Sequence, residues 1–130
     1  MATEFLVTLP DTPGSLARFG RALGDARVNI EAIMGVAGEG EGRVRFVPDS
    51  LPNARHALEA GKFQYSTREV LVVSVLNEPG ALGDVALVMA TAGVNIDAVY
   101  VTTRGHVVLG VDDLTGAAQV AGGIAVMIGQ

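Results

Sequence analysis

The 130-residue sequence contains no cysteine, which excludes a disulfide scaffold, a thiolate metal site and a cysteine nucleophile. Aromatic residues make up only 5% of the chain. The formal net charge is −5, and the nine Lys and Arg residues are not clustered in the sequence. Because binding to phosphate backbones depends on clustered Lys and Arg, we expect no nucleic-acid partner. No apolar stretch approaches the roughly 18 residues of a membrane span, and no basic leader precedes Glu4. We therefore expect a cytoplasmic protein without a membrane partner.

Hydrophobic residues, in contrast, make up 49% of the chain. This share predicts a folded, globular protein. Because so short a chain cannot bury all of these residues within itself, we expect some to be buried between subunits in at least a homodimer. The sequence shows no serine or cysteine nucleophile motif and no cluster of metal ligands. We therefore expect no enzyme activity, no catalytic residue, no metal and no cofactor.

The most informative feature of the sequence is an internal repeat. Pro13-Gly14 matches Pro79-Gly80, and Val28-Asn29-Ile30 matches Val94-Asn95-Ile96, with one constant offset between the two copies. After a shorter turn in the second copy, the match resumes at a slightly smaller offset. A length change confined to one hairpin is typical of a duplicated folding unit. The repeat predicts two domains, residues 1–68 and 69–130, joined near residues 67–70.

Each copy shows the same predicted order of elements. Continuous apolar residues predict first strands at 4–9 and 70–76, and Pro13 and Pro79 suit the first turn of the helices that follow. The remaining segments predict second strands (28–36 and 95–103), third strands (43–47 and 106–111), second helices (51–60 and 114–121) and last strands (62–66 and 124–128). This order predicts an α+β protein of two tandem ferredoxin-like βαββαβ units, each an antiparallel four-stranded sheet with helices on one face.

Two motifs recur in both copies. The first is Asp11–Leu16, matched by Asn77–Leu82, at the first strand–helix turn; the second is Arg27–Ile30, matched by Gly93–Ile96, where the second strand begins. Both motifs resemble those of the ACT domain, the regulatory βαββαβ module of amino-acid metabolism. The whole chain resembles short bacterial proteins that consist of tandem ACT domains. The resemblance implies an allosteric, non-catalytic module that binds an amino acid at a domain or subunit interface. Arg27, where glycine is commoner, and Glu78, in place of a small residue, depart from the family pattern.

The residues of these motifs are suited to an amino-acid ligand. A glycine at a helix start lets backbone N–H groups approach a carboxylate closely, and the helix dipole favours that charge. Asp11 or Asn77 can accept hydrogen bonds from the ligand's ammonium group, and Asn29 or Asn95 offers both a donor and an acceptor. The candidate ligand-binding residues are Asn77, Glu78, Pro79, Gly80, Ala81, Leu82, Asn95 and Ile96 in the second copy, and Asp11, Thr12, Pro13, Gly14, Ser15, Leu16, Asn29 and Ile30 in the first. We expect at least one site in the second copy, because it retains Gly93.

Other interpretations of the same residues remain open. Asp, Asn, Thr and Pro are also ordinary capping and turn residues, and Asp112-Asp113 is itself predicted to be the N-cap of a helix. A structural dimerisation module without a ligand is therefore the main alternative function. An RNA-binding α/β module is a further alternative, but its sheet would need exposed aromatic residues and basic flanks.

Overall fold

The computed structural model describes residues 1–122 and 126–127, and the chain divides into two compact units. The N-terminal unit comprises Thr3–Arg68, and the C-terminal unit comprises Met1–Ala2 and the described residues from Glu69 onward. Strand β4 runs across the boundary between them. The elements in chain order are β1 (Ala2–Pro10), α1 (Ser15–Asp25), β2 (Ile30–Gly38), β3 (Glu41–Pro48), α2 (Leu51–Ala60), β4 (Gln64–Ser74), α3 (Ala81–Thr91), β5 (Ile96–Val101), β6 (Val107–Val111), α4 (Leu114–Ala121) and β7 (Val126–Met127).

The sheet of the N-terminal unit has the strand order β2-β3-β1-β4. Strand β3 pairs antiparallel with both β1 and β2. Alternate residues of β1 point to one face, where they form the core with side chains of α1 and α2. The core residues that are fully buried include Phe5, Val7, Phe19, Phe46 and Leu58. Both helices of this unit therefore pack on the same face of the sheet.

The C-terminal unit repeats this architecture with different side chains. Strand β6 pairs antiparallel with β4 and β5, and β7 pairs with the other side of β4 through Val73–Met127 and Ser74–Val126. Its core joins β4 and β6 to α3 and α4 through Leu71, Val73, Met89, Leu109 and Ala117. No aromatic ring belongs to this described core, whereas stacked and edge-on rings fill that of the N-terminal unit.

The predicted fold class is confirmed, and helices α2 and α4 have the predicted bounds. The predicted position of the two prolines is wrong: Pro13 and Pro79 precede the helices, which begin only after Gly14 and Gly80. The strands predicted at 62–66 and 70–76 also form one element, because no turn interrupts β4. In the last predicted strand, residues 124, 125 and 128 lie outside the described residues. Within the described part of the chain, no helix combines the length and apolar character needed to cross a bilayer.

Candidate ligand-binding loops

The first candidate loop, Asp11–Leu16, connects β1 to α1 and is shaped by its own hydrogen bonds. The Asp11 backbone N–H donates to the Gly40 carbonyl oxygen at 3.2 Å, and the Ser15 N–H donates to the Thr12 carbonyl oxygen at 3.2 Å. The hydroxyl oxygens of Thr12 and Ser15 lie 3.0 Å apart. The loop is thus tied to the β2–β3 hairpin while Asp11, Thr12 and Gly14 remain exposed.

The second candidate loop, Asn77–Leu82, shares part of the backbone hydrogen bonding of the first loop. It differs by a bond from the Glu78 N–H to the Leu76 carbonyl oxygen at 2.9 Å. The Ala81 N–H donates to the Glu78 carbonyl oxygen at 3.2 Å, which matches the Ser15–Thr12 bond of the first loop. The next bond in the chain, from the Asp84 N–H to the Gly80 carbonyl oxygen at 3.0 Å, likewise matches that from Arg18 to Gly14. Two backbone hydrogen bonds at the helix start therefore repeat together with the sequence.

Glycine is required in both loops by the backbone conformation. Gly14 has a φ of +92° and Gly80 a φ of +87°, and each is the N-cap of its helix. No heavy atom lies within 4 Å of an ideal Cβ at either position, so the left-handed conformation and not a lack of space selects glycine. Neither α1 nor α3 has a side-chain cap among the described residues. Each helix therefore presents first-turn N–H groups without a side-chain acceptor, at the end where its dipole favours an anion.

The structure does not bring these loops to the asparagines within one unit. Pro10 pairs with Glu41 at one end of β3, whereas Ile30 pairs with Pro48 at its other end. Asn29 therefore lies at the opposite end of the sheet from the first loop. The 11 residues of α1 separate them by about 16 Å along the helix axis. Asn95, which directly precedes β5, is separated from the second loop by α3 in the same way.

Each asparagine is held by an aspartate that precedes a helix. The Asn29 N–H donates to Asp49 Oδ1 at 2.9 Å and the Asp49 N–H returns a bond to the Asn29 carbonyl oxygen at 3.0 Å. Asn95 and Asp112 exchange the corresponding bonds at 2.9 and 3.2 Å. The backbone of both asparagines therefore has a structural role, and the Asn29 side chain contributes a further bond, from Nδ2 to Glu31 Oε2 at 3.2 Å.

The N-cap predicted at Asp112-Asp113 is confirmed, and Asp113 is the residue that forms it. Asp113 is the N-cap of α4, and its side chain accepts from the Gly116 N–H at 3.0 Å. Asp112 instead accepts from Asn95. The difference arises because only the residue at the cap position can reach the free N–H groups of the first turn.

The two loops differ in the charge of the residues beside them, a difference that was not predicted from the sequence. Arg18 follows the first loop, whereas Asp84 occupies the matching position in α3 and adds an acidic group to its first turn. The Arg18 guanidinium lies 4.2 Å above the Phe63 ring, and its Nη2 donates to the Gly61 carbonyl oxygen at 2.5 Å. Arg18 and Asp84 are equivalent positions at the offset that aligns the two loops, so the difference in charge can be seen in the sequence.

A buried ion cluster on β1 was not predicted from the sequence. Glu4 is 1% exposed, and its Oε1 accepts from Arg45 Nη1 and from Arg68 Nε, both at 2.9 Å. The signal was an acidic residue inside an apolar strand. Two guanidinium groups compensate the buried carboxylate, so Glu4 is not an unpaired buried charge. Elsewhere in the described chain, no three His, Asp or Glu side chains are grouped to hold a metal ion.

Comparisons with known proteins identify the fold. No family model matches the sequence, and no curated protein matches it either. A crystal structure of a Bacteroides thetaiotaomicron protein matches 98% of this chain and 91% of its own, with a TM-score of 0.89 and 21% identity. The ligand-free regulatory subunit of aspartate kinase from Thermus thermophilus matches 95% of this chain and 91% of its own, with a TM-score of 0.68 and 20% identity. The Thermus flavus subunit matches the same shares, with a TM-score of 0.67 and 18% identity. The chain therefore has the ACT-like, ferredoxin-like fold of these regulatory subunits.

Proposed function

We propose that the chain is a stand-alone, tandem ACT regulatory protein that binds an amino acid at a domain or subunit interface and controls an enzyme of amino-acid metabolism. The observation that carries the proposal is the pair of equivalent strand–helix loops, each with a left-handed glycine N-cap and no side-chain cap among the described residues. A helix start of this kind offers backbone donors and a positive dipole end to a carboxylate. The fold shared with aspartate kinase regulatory subunits supports the same function.

The ligand would need groups from more than one unit or subunit. Within a unit, the loop that suits the carboxylate and the asparagine that suits the ammonium group lie at opposite ends of the sheet. A loop alone is exposed and supplies only one wall of a pocket. An interface would supply the second wall and would couple ligand binding to assembly, which is the basis of allosteric control.

Binding is tested by a thermal-shift screen of the amino acids, followed by calorimetry of those that raise the melting temperature. A ligand present at 100 times its dissociation constant should add about 2.7 kcal/mol to the free energy of unfolding. If no amino acid shifts the melting temperature at millimolar concentration, the regulatory proposal is wrong and a structural dimerisation module takes its place.

The backbone conformation of the loops limits the substitutions that can test the site. Replacing Gly80 with Val, an obvious way to block the loop, would strain the backbone because a β-branched residue disfavours a φ of +87°. Thr12→Val and Ser15→Ala remove hydroxyl groups of the first loop without this strain, and Asn95→Ala removes a side-chain donor and acceptor. We expect each to weaken amino-acid binding while the protein stays folded by circular dichroism. Unchanged affinity in all three would place the site elsewhere.

A further inference from the structure

Exposed basic side chains are concentrated on and beside the two helices of the N-terminal unit. Both helices pack on one face of the sheet, so they form one helical layer with an exposed outer side. The segments that form and end α1 and α2, residues 15–27 and 51–62, contain five of the nine Lys and Arg residues of the chain. The same segments contain only two acidic residues, Asp25 and Glu59. The five exposed basic residues, here called the basic layer, are Arg18, Arg21, Arg27, Arg55 and Lys62.

The internal repeat shows that the fold does not require this positive charge. The equivalent segments of the second copy, residues 81–93 and 114–125, contain Asp84 as their one charged residue. In each unit, nevertheless, two helices pack a core against one face of the sheet. Because the same architecture forms without cations on its helices, the folding of the N-terminal unit does not explain the basic layer.

The cations of the basic layer are not neutralised by ion pairs within the described part of the chain. The ion pairs among the described residues are those of Glu4 with Arg45 and Arg68, and neither arginine belongs to the layer. Glu59 instead accepts a hydrogen bond from the Tyr65 hydroxyl. A surface that only keeps a protein soluble usually mixes charges of both signs. Unpaired cations on one layer of a chain with a net charge of −5 are typical of a surface that attracts an acidic partner.

Two arginines of the basic layer are positioned over aromatic rings. The guanidinium carbon of Arg18 lies 4.2 Å from the centre of the Phe63 ring, and that of Arg55 lies 5.6 Å from the centre of the Phe5 ring. Arg18 also donates to the Gly61 carbonyl oxygen. A guanidinium has five N–H donors, so each arginine retains donors for a carboxylate after these contacts. Side chains that are restricted before binding lose less entropy when they form an ion pair.

We propose that the basic layer is the docking surface for an acidic segment of another protein. Guanidinium groups bind carboxylates in bidentate geometry, and such a segment would supply the negative charges that the layer lacks. A nucleic acid fits this surface less well. The rings of Phe5 and Phe63 beneath the arginines are buried, so neither can stack on a base, as aromatic side chains do in single-strand recognition. The acidic net charge of the chain also opposes a phosphate backbone.

Fluorescence anisotropy of a labelled poly-glutamate peptide, titrated with the full chain, tests the surface. No amino acid is added, so the outcome is independent of the proposed ligand site. We expect binding that weakens as salt is added. The double variant Arg21→Glu with Arg55→Glu should weaken binding at least about tenfold, because two attractive charges become repulsive. The matched control, Arg43→Glu with Arg104→Glu, makes the same change in net charge at exposed residues outside the basic layer, and it should leave the affinity nearly unchanged.

Circular dichroism establishes that each variant is folded, and Lys62→Glu replaces the Arg55 change if the first double variant does not fold. Absence of peptide binding at low salt would overturn the proposal. Equal weakening by the variant and its control would do the same, because net charge and not the basic layer would then attract the peptide. Tighter binding of an oligodeoxythymidine of similar charge would make the layer a nucleic-acid site. A sedimentation coefficient that falls in the variant but not in the control would mean that the layer contacts another copy of this chain instead.

Discussion

At the scale of single residues, two equivalent positions of the repeat have the same left-handed backbone conformation but different amino acids. Arg27 has a φ of +60°, and Gly93, its counterpart, has a φ of +76°. A non-glycine residue in this region loses about 1 to 2 kcal/mol relative to ordinary conformations, whereas glycine has no such penalty. Arg27 is also exposed, so its side chain contributes little packing.

We therefore predict that Arg27→Gly raises the free energy of unfolding by about 0.5 to 1 kcal/mol, after the greater freedom of glycine in the unfolded chain is included. Urea unfolding, followed by circular dichroism, measures the change. Gly93→Ala is the converse variant and should destabilise the protein. A decrease in stability for Arg27→Gly would show that the arginine side chain makes a contact that outweighs the strain.

Tyr65 is the second single-residue case. Its hydroxyl donates to Glu59 Oε2 at 2.7 Å, and this hydrogen bond, together with partial burial, raises the pKa of Tyr65 above its usual value of 10.0. The interaction favours protonated tyrosine, so it stabilises the fold below the unfolded pKa. The contribution is lost as pH rises through the folded pKa.

We predict that Glu59→Gln lowers the pKa of Tyr65, because the amide oxygen is a weaker acceptor without charge. Ultraviolet absorbance of tyrosinate against pH measures this pKa, and a Tyr100→Phe background removes the signal of the other tyrosine. An unchanged midpoint in Glu59→Gln would mean that the Tyr65–Glu59 hydrogen bond is not formed in solution.

At the scale of elements, short polar bonds determine where helices α2 and α4 begin. Ser50 accepts from the Asn53 N–H at 3.3 Å and Asp113 from the Gly116 N–H at 3.0 Å, so each is an N-cap. Asp112, one residue earlier, instead connects its loop to Asn95. Adjacent aspartates thus stabilise different parts of the same unit.

We predict a loss of about 1 kcal/mol for Asp113→Ala and little change for Asp113→Asn, because asparagine also caps helices. Asp112→Ala should lose about 1 to 2 kcal/mol because the Asn95 N–H loses its acceptor. The distinguishing measurement is amide hydrogen exchange: protection should fall at Gly116 in the first variant and at Asn95 in the second. The reverse pattern would contradict the assigned roles.

At the scale of the whole molecule, the two proposed binding loops differ in electrostatics. Asp84 lies in the first turn of α3, where its negative charge interacts with the positive end of the helix dipole. Arg18 lies in the corresponding turn of α1. The sequence favoured the C-terminal copy as a binding site because of Gly93, but the charges favour the first loop for a carboxylate.

We predict that calorimetry with an amino acid found in the thermal-shift screen gives one site per chain, and that Asp84→Arg creates a second. The prediction depends on the proposed function. Asp84→Asn is the control, because it removes the negative charge without adding a positive one, and it should give a weaker second site. If either variant abolishes the original site, the ligand binds at the second loop through Asp84.

The sequence alone determined the repeat, the βαββαβ order and the bounds of α2 and α4. These features depend on local properties: apolar periodicity, turn residues and caps act within a few residues of where they occur in the chain. The sequence also identified Gly14 and Gly80 as residues that the loops need. Only the backbone shows the reason: each glycine is a left-handed N-cap, and the proline before it lies outside the helix.

Tertiary structure decided which of these residues meet. The sequence made both Asn29 and the first loop candidates for ligand binding without saying how far apart they lie, and strand pairing puts them at opposite ends of the sheet of their unit. Pairing likewise brought Glu4 to Arg45, which is far from it in the chain, and Asp112 to Asn95. From the sequence, every apolar residue of α3 was a possible core residue. The packing of the helix shows that Leu87 is exposed. Contacts between distant segments depend on strand register and helix orientation, which no local pattern specifies.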